Sequence, residues 1–257
     1  MMKPLQWLSR SAAKIVLGAS LALSATLTAH ATELRGVVEM FTSQGCSSCP
    51  PADAALVDYA GDPSLLALSY HVDYWDYLGW KDTLGSAENT ARQRAYAHAL
   101  KARSVYTPQA VVNGSVHHVG SDRTSIDASL ARGGASGMPI PVSISKNASR
   151  LQVSVDTAAV DLGETDIRVI LVYIKNDTRI DIKRGENAGR KQLYAHSVLG
   201  MQTMGMVSGT GSVMEMPVAE MMKLNADNCA VIVQAFDANG NPGEILGASI
   251  LEPSPFS

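Results

Sequence analysis

From Arg35 to about Arg132 the apolar and polar positions fall in blocks that switch between strand-like and helix-like spacing. GVVEMFT (Gly36 to Thr42) is a short continuous apolar run of the kind a buried strand needs, and SLLALSYHV (Ser64 to Val72) is a second. Ala52 to Ala60 between them predicts a helix. The aromatic loop DYWDYLGW (Asp73 to Trp80) leads into a helix over Ser86 to Ala102, with Glu88, Arg92, Gln93 and Arg94 on its polar side. QAVVN (Gln109 to Asn113) predicts a third strand, which Asn113-Gly114 turns back into Ser115 to Val119. Asp122 to Ala131 closes this half as a helix, capped by Ser121 or Asp122 and followed by Gly133-Gly134. The order β, α, β, α, β, β, α predicts a mixed α/β layer on one sheet.

GGASGMPIP (Gly133 to Pro141) reads as a linker. Beyond it, Val142 to Ile144, Leu151 to Val155, Ile167 to Ile174, Met204 to Ser208, Ser212 to Met216, Ala230 to Phe236 and Gly247 to Leu251 predict strands. Turns such as Asp161-Leu162-Gly163 and Asn239-Gly240-Asn241 separate them, a spacing that predicts a mostly β, sandwich-like C-terminal domain. The expected organisation is thus a leader over 1–31, an α/β domain over 32–136 and a β-rich domain over 139–257.

The leader reading rests on Lys3, Arg10 and Lys14, the apolar run Ile15 to Leu27, and Ala29-His30-Ala31, which follow the order of a secretory signal peptide. Gly18, Ser20, Ser24 and Thr26 interrupt the apolar run, which falls short of the roughly 18 apolar residues of a spanning helix. Cleavage before Thr32 would export the chain to a periplasmic or secreted location and leave no membrane anchor. Loss of the three basic leader residues takes the net charge from −3 to −6, a balance unsuited to nucleic acid or anionic lipid.

All three cysteines, Cys46, Cys49 and Cys229, lie beyond the leader, and an oxidising compartment lets a pair persist as a disulfide. Three thiols are too few for a disulfide scaffold, and a staple closed over so few residues removes little unfolded-chain entropy. Chemistry is the better account of FTSQGCSSCPPAD (Phe41 to Asp53). Pro50 and Pro51 lack amide hydrogens and belong in a first helical turn, which sets Cys46 just ahead of the helix's positive end. That field lowers a thiol pKa, so Cys46 is the candidate attacking thiolate and Cys49 the resolving thiol, with protein thiols or disulfides as partners.

Glu39, on the strand feeding the pair, is a candidate proton acceptor for Cys49, although its odd offset from Cys46 favours the other face. His71 and Asp73 end the neighbouring strand and either face the cleft or anchor the aromatic loop. Cys229 opens the run CAVIVQAF as a buried, inert thiol. A zinc site needs four ligands, and only scattered His71, His98, His117, His118 and His196 are on offer, so neither metal nor cofactor is expected. One rival remains. Seven of the eleven methionines fall between Met201 and Met222, and a hairpin about Thr210 would set Met206 opposite Met214 and Met204 opposite Met216. Thioethers suit Cu(I), so a copper metallochaperone is the alternative to exchange chemistry, with core packing by Met as a third account.

Tyr106-Thr107-Pro108 enters the third strand, and Pro108 suits a cis bond in a tight loop. Strand, Cys46-x-x-Cys49, helix, then Thr107-Pro108 before a hairpin resembles the thioredoxin-like fold over about Arg35 to Arg132. That resemblance implies a loop at Thr107 and Pro108 that lies against the cysteine pair and positions an extended substrate segment. VVEMFTSQGCSSCPPAD, HVDYWDYLGWKD (His71 to Asp82) and RGENAGR (Arg184 to Arg190) together resemble an uncharacterised family of exported bacterial thioredoxin-like proteins, classed as a domain of unknown function. That match implies the fold more than a function; the cysteine pair is what points to a thiol-disulfide oxidoreductase, with a binding module that keeps its disulfide closed as a further alternative. Gly45 and Ser47-Ser48 replace the tryptophan and the glycine-proline of the thioredoxin motif, so thioredoxin's own partners do not carry over.

Overall fold

The structure is a computed structural model that describes residues 34–134 and 137–251. The leader expected over 1–31 lies outside the described residues. The described chain forms one compact unit. Its elements are β1 (Gly36–Thr42), α1 (Pro50–Ala60), β2 (Leu65–His71), α2 (Ala87–Ala99), β3 (Gln109–Val112), β4 (Val116–Val119) and α3 (Arg123–Gly134). They continue with β5 (Val142–Lys146), β6 (Arg150–Asp156), β7 (Asp166–Asp181), β8 (Lys191–Met206), β9 (Gly211–Pro217), α4 (Ala219–Lys223), β10 (Asn228–Phe236) and β11 (Pro242–Ile250).

Eight strands make one sheet in the order β11-β10-β7-β8-β2-β1-β3-β4, and β5-β6-β9 make a second. β1 and β2 run parallel with Thr42 beside His71, while β1 and β3, β3 and β4, β7 and β8, and β10 with both β7 and β11 are antiparallel. β2 joins β8 through one parallel pairing, Ser69 with Ser197. Strands from both sides of the expected boundary therefore share one sheet, and Ile140, near the end of the expected linker, is tied to it. Ile140 is buried and its N–H donates to the Leu246 carbonyl at 2.9 Å. Gly247 sits where a Cβ would overlap the Ile140 carbonyl, so that close approach requires glycine.

Alternation of side chains along the strands splits the core by face. Val37, Phe41, Leu68 and Tyr70 join Tyr96 of α2 and Ile170, Val172 and Ile232 on one face. On the other, Val38, Met40 and Ala67 pack under Ala52, Leu56 and Tyr59 of α1 and Ile126 and Leu130 of α3. Further along that face, Val169, Leu171, Val231 and Val233 meet Leu151, Val153 and Val155 of the second sheet.

The methionine hairpin does not form. Met206 pairs with Arg168 of β7 and Met214 with Val153 of β6, so the two strands belong to different sheets. Met204, Met214 and Met216 instead pack against the core between the sheets, and Met214 lies against Gly205. Apolar burial between stacked sheets outweighs the local symmetry about Thr210.

Candidate functional site

Pro50 and Pro51 occupy the first positions of α1, where a missing N–H leaves no orphan, and Cys49 is the residue just before them. Cys46 and Cys49 form a disulfide with Cα atoms 5.4 Å apart. The Cys49 N–H donates to the Cys46 carbonyl at 3.2 Å and the Asp53 N–H to the Cys49 carbonyl at 3.0 Å, so the pair closes a turn running straight into the helix. Cys46 is 3% exposed and Cys49 fully buried, while Ser47 and Ser48 face solvent.

Three segments fold over this turn. The Thr107–Pro108 peptide is cis, and the Thr107 carbonyl lies 3.5 Å from Ser48 Oγ. The aromatic loop between β2 and α2 comes next: Trp75 Nε1 donates to Thr107 Oγ1 at 2.7 Å, and Trp80 Nε1 to Gln44 Oε1 at 2.8 Å. Gly45 is the other close approach, since a Cβ there would stand 3.2 Å from Trp75 Cβ. The third segment is the tip of the long β7–β8 arm. Asn187, buried, donates through Nδ2 to the carbonyls of Cys46 at 2.7 Å and Gln44 at 3.0 Å. The structure thus brings Thr107, at the cis bond to Pro108, to the turn that holds the cysteines.

Glu39 goes elsewhere. It lies on the opposite face of β1 from Thr42, paired with Arg92 Nε at 2.7 Å and accepting a hydrogen bond from Tyr96. Arg92 in turn donates to Gln234 of β10 at 2.9 Å. His71 and Asp73 also separate: Asp73 accepts from Thr90 of α2, while His71 turns toward α1. His117 and His118 take opposite faces of β4, bonded to Tyr106 and Ser129. Cys229 is buried, and burial pushes its thiol up to about 12.

Two buried carboxylates bond to the segment that leads into the pair, Asp53 through Thr42 and Asp82 through Gln44. Asp53 lies one helical turn after Cys49, hence on the same side of α1. Its Oδ1 accepts from Thr42 Oγ1 at 2.6 Å. Burial pushes its carboxyl up to about 7, against the Thr42 bond and nearby His71, with Asp82 adding to the rise. Asp82 Oδ2 accepts from the Gln44 N–H at 2.7 Å and from His71 Nδ1 at 2.8 Å. Burial opposes its ionisation, yet His71 and the amides of Gln44 and Leu84 hold it below the usual carboxylate range. Asp53, Asp82 and Asn187 all sit inside the sequence stretches PPAD, WKD and RGENAGR. Asp82 and Asn187 reach the site only through fold contacts, whereas the i, i+4 spacing of Cys49 and Asp53 at the start of α1 is a local signal that could have marked Asp53.

The family model described as "Protein of unknown function (DUF1223)" matches residues 37–234. The chain belongs to this family. A crystal structure of a protein from Agrobacterium tumefaciens is 40% identical to this DUF1223 chain, covering 85% of it and 94% of that chain at a TM-score of 0.76. HBP35 of Porphyromonas gingivalis is 15% identical, with 87% of this chain and 78% of that one covered at a TM-score of 0.60, a likeness of fold alone. No curated protein matches the chain.

Proposed function

We propose that this DUF1223 protein is an exported thiol-disulfide oxidoreductase whose thioredoxin-like part works through Cys46 and Cys49. The carrying observation is the C-x-x-C disulfide at the start of α1 with a buried carboxylic acid, Asp53, one turn behind it. In the reduced protein the Cys46 thiolate attacks a partner disulfide; one partner sulfur leaves as thiolate and Cys46 holds the other. Cys49 then gives its proton to the Asp53 carboxylate and attacks Cys46 Sγ. The Cys46–partner bond breaks, its electron pair leaves on the partner sulfur, and the Cys46–Cys49 bond re-forms. The partner is reduced and the protein oxidised, and the same steps in reverse oxidise a partner dithiol. An acid with its pKa at about 7 both takes and returns a proton near neutrality. Thr107 beside Ser48 offers the place for an extended substrate segment.

The burial of both sulfurs favours a second reading, in which the disulfide stays closed and this face binds a partner without exchange. Equilibration with glutathione separates the two. The exchange reading expects the native protein to pass between disulfide and dithiol as the glutathione ratio changes, with Cys229 unmodified throughout. A disulfide that yields only on unfolding favours the closed module.

A further inference from the structure

One buried pair of side chains under the disulfide has no part in the steps above. Thr42 and His71 are neighbours across the parallel β1–β2 pairing, so both side chains point toward the first turn of α1. Thr42 uses its hydroxyl on Asp53 Oδ1, leaving Asp53 Oδ2 buried without a partner. His71 and Asp82 side chains are both fully buried, and Nδ1 and Oδ2 stand 2.8 Å apart. Asp82 Oδ2 already accepts from the Gln44 N–H, so it acts as an acceptor and His71 Nδ1 must carry the hydrogen. In the neutral ring that leaves Nε2 as a bare lone pair, and Nε2 is also buried without a partner. Orphaned buried polar atoms are rare and each costs about 1–3 kcal/mol. Here two such atoms have opposite capacities, one able to carry an acidic O–H and the other to accept it. They sit on side chains that flank Thr42, Asp53 bonded to its hydroxyl and His71 beside it across the strand pairing, and they are not bonded to each other.

We propose that His71, oriented by Asp82, takes up the proton that Asp53 receives from Cys49, making Asp53, His71 and Asp82 a proton relay for the resolving step. This deepens the exchange reading and rests on it. The Cys49 proton moves to an Asp53 carboxylate oxygen as the Cys49 sulfur attacks Cys46 Sγ and the partner leaves as thiolate. The proton then passes from Asp53 Oδ2 to His71 Nε2 once the carboxyl turns to bring the two atoms, unbonded in the oxidised protein, within hydrogen-bond reach, restoring the carboxylate and leaving an imidazolium against Asp82. No electrons cross the relay.

The titratable groups facing the ring are Asp53 of α1, Asp82 of the loop before α2, and Tyr194 of β8, whose ring meets the imidazole edge-on at 4.6 Å. Thr42, Gln44 and Asn89, which bonds the His71 carbonyl at 3.0 Å, are neutral neighbours. His71 is a positioning residue, since it acts on Cys49 through Asp53.

The test uses the full reduced chain and an aromatic disulfide whose released thiolate absorbs light. Stopped-flow mixing then gives two phases, the first for attack by Cys46 and the second for resolution by Cys49. His71→Asn keeps an amide where Nδ1 bonds Asp82 and removes the Nε2 acceptor. The relay expects this variant to slow the second phase at least about tenfold below pH 7, a modest share of what proton transfer contributes, and to move its pH profile upward. The first phase should stay within about twofold, which shows that the site is intact. Asp82→Asn, which keeps a hydrogen-bond partner and removes the charge, should slow the second phase in the same direction, and it carries the test if His71→Asn does not fold. A second phase unchanged in rate and pH profile overturns the relay. A wild-type protein with no Cys49-dependent second phase overturns the exchange reading itself.

Discussion

Asp53→Asn should stabilise the oxidised protein, and the gain should grow with pH. An acid whose folded-state pKa is raised binds more protons folded than unfolded between the two values, so stability falls as pH rises through that window. For Asp53 the window runs from 3.8 to about 7. At about 1.4 kcal/mol per unit of pKa, the full effect above the window is on the order of 4 kcal/mol. Two terms oppose this. Asp53 is an acid in the first turn of α1, where the helix field favours its charge by about 0.3–1 kcal/mol. The Thr42 hydroxyl bond survives substitution, because an asparagine oxygen also accepts. Burial wins by magnitude, and a net gain of about 2–4 kcal/mol is expected above neutrality, with little or none near pH 4. Urea unfolding of both proteins across that range, with the disulfide kept oxidised, measures it. Equal destabilisation at every pH would refute the reasoning, since it would mean that Asp53 is already ionised and satisfied in the fold.

Glu39→Gln should destabilise the fold by about 3–5 kcal/mol, because Arg92 would keep a buried charge with no counter-ion, and should leave exchange rates untouched. Slower exchange with unchanged stability would restore Glu39 as the proton acceptor. Asn187→Ala removes two hydrogen bonds to the carbonyls of Gln44 and Cys46, about 2 kcal/mol in all. If that contact guards the disulfide, reduction by a small dithiol should speed up by roughly 30-fold at most, and an unchanged rate counts against the guard.

Much of this arrangement is legible in local sequence. GVVEMFT and the Pro50-Pro51 start of α1 are set by apolar runs and by proline's missing N–H, which neighbours in the chain already determine. β8 is a different case. Only Met204 to Ser208 reads as a strand from sequence, yet the element spans Lys191–Met206 in the middle of the large sheet. Gly200, Gly205 and a left-handed His196 (φ 45°) interrupt its pattern, and a register shift near Gly200 lets it bend between β7 and β2. The Cys46/Cys49 pair and Thr107-Pro108 are visible because their chemistry is marked by residue type. Asn187 acts from 141 residues beyond Cys46, and His71 and Asp82 meet only once β2 and its following loop are folded. The methionine pairing fails for the same reason in reverse: local symmetry about Thr210 says nothing about which sheet each strand joins.

The central claim, exchange at Cys46 with resolution by Cys49, is most directly tested by comparing what each single-cysteine variant captures. Cys49→Ser keeps the attacking thiolate and removes the thiol that frees the partner, so reductant-sensitive covalent complexes should accumulate in the native compartment. Cys46→Ser should capture far fewer, since Cys49 is fully buried behind the turn. Equal capture by both variants, or none by either, would contradict the account and leave Cys46–Cys49 a closed structural disulfide.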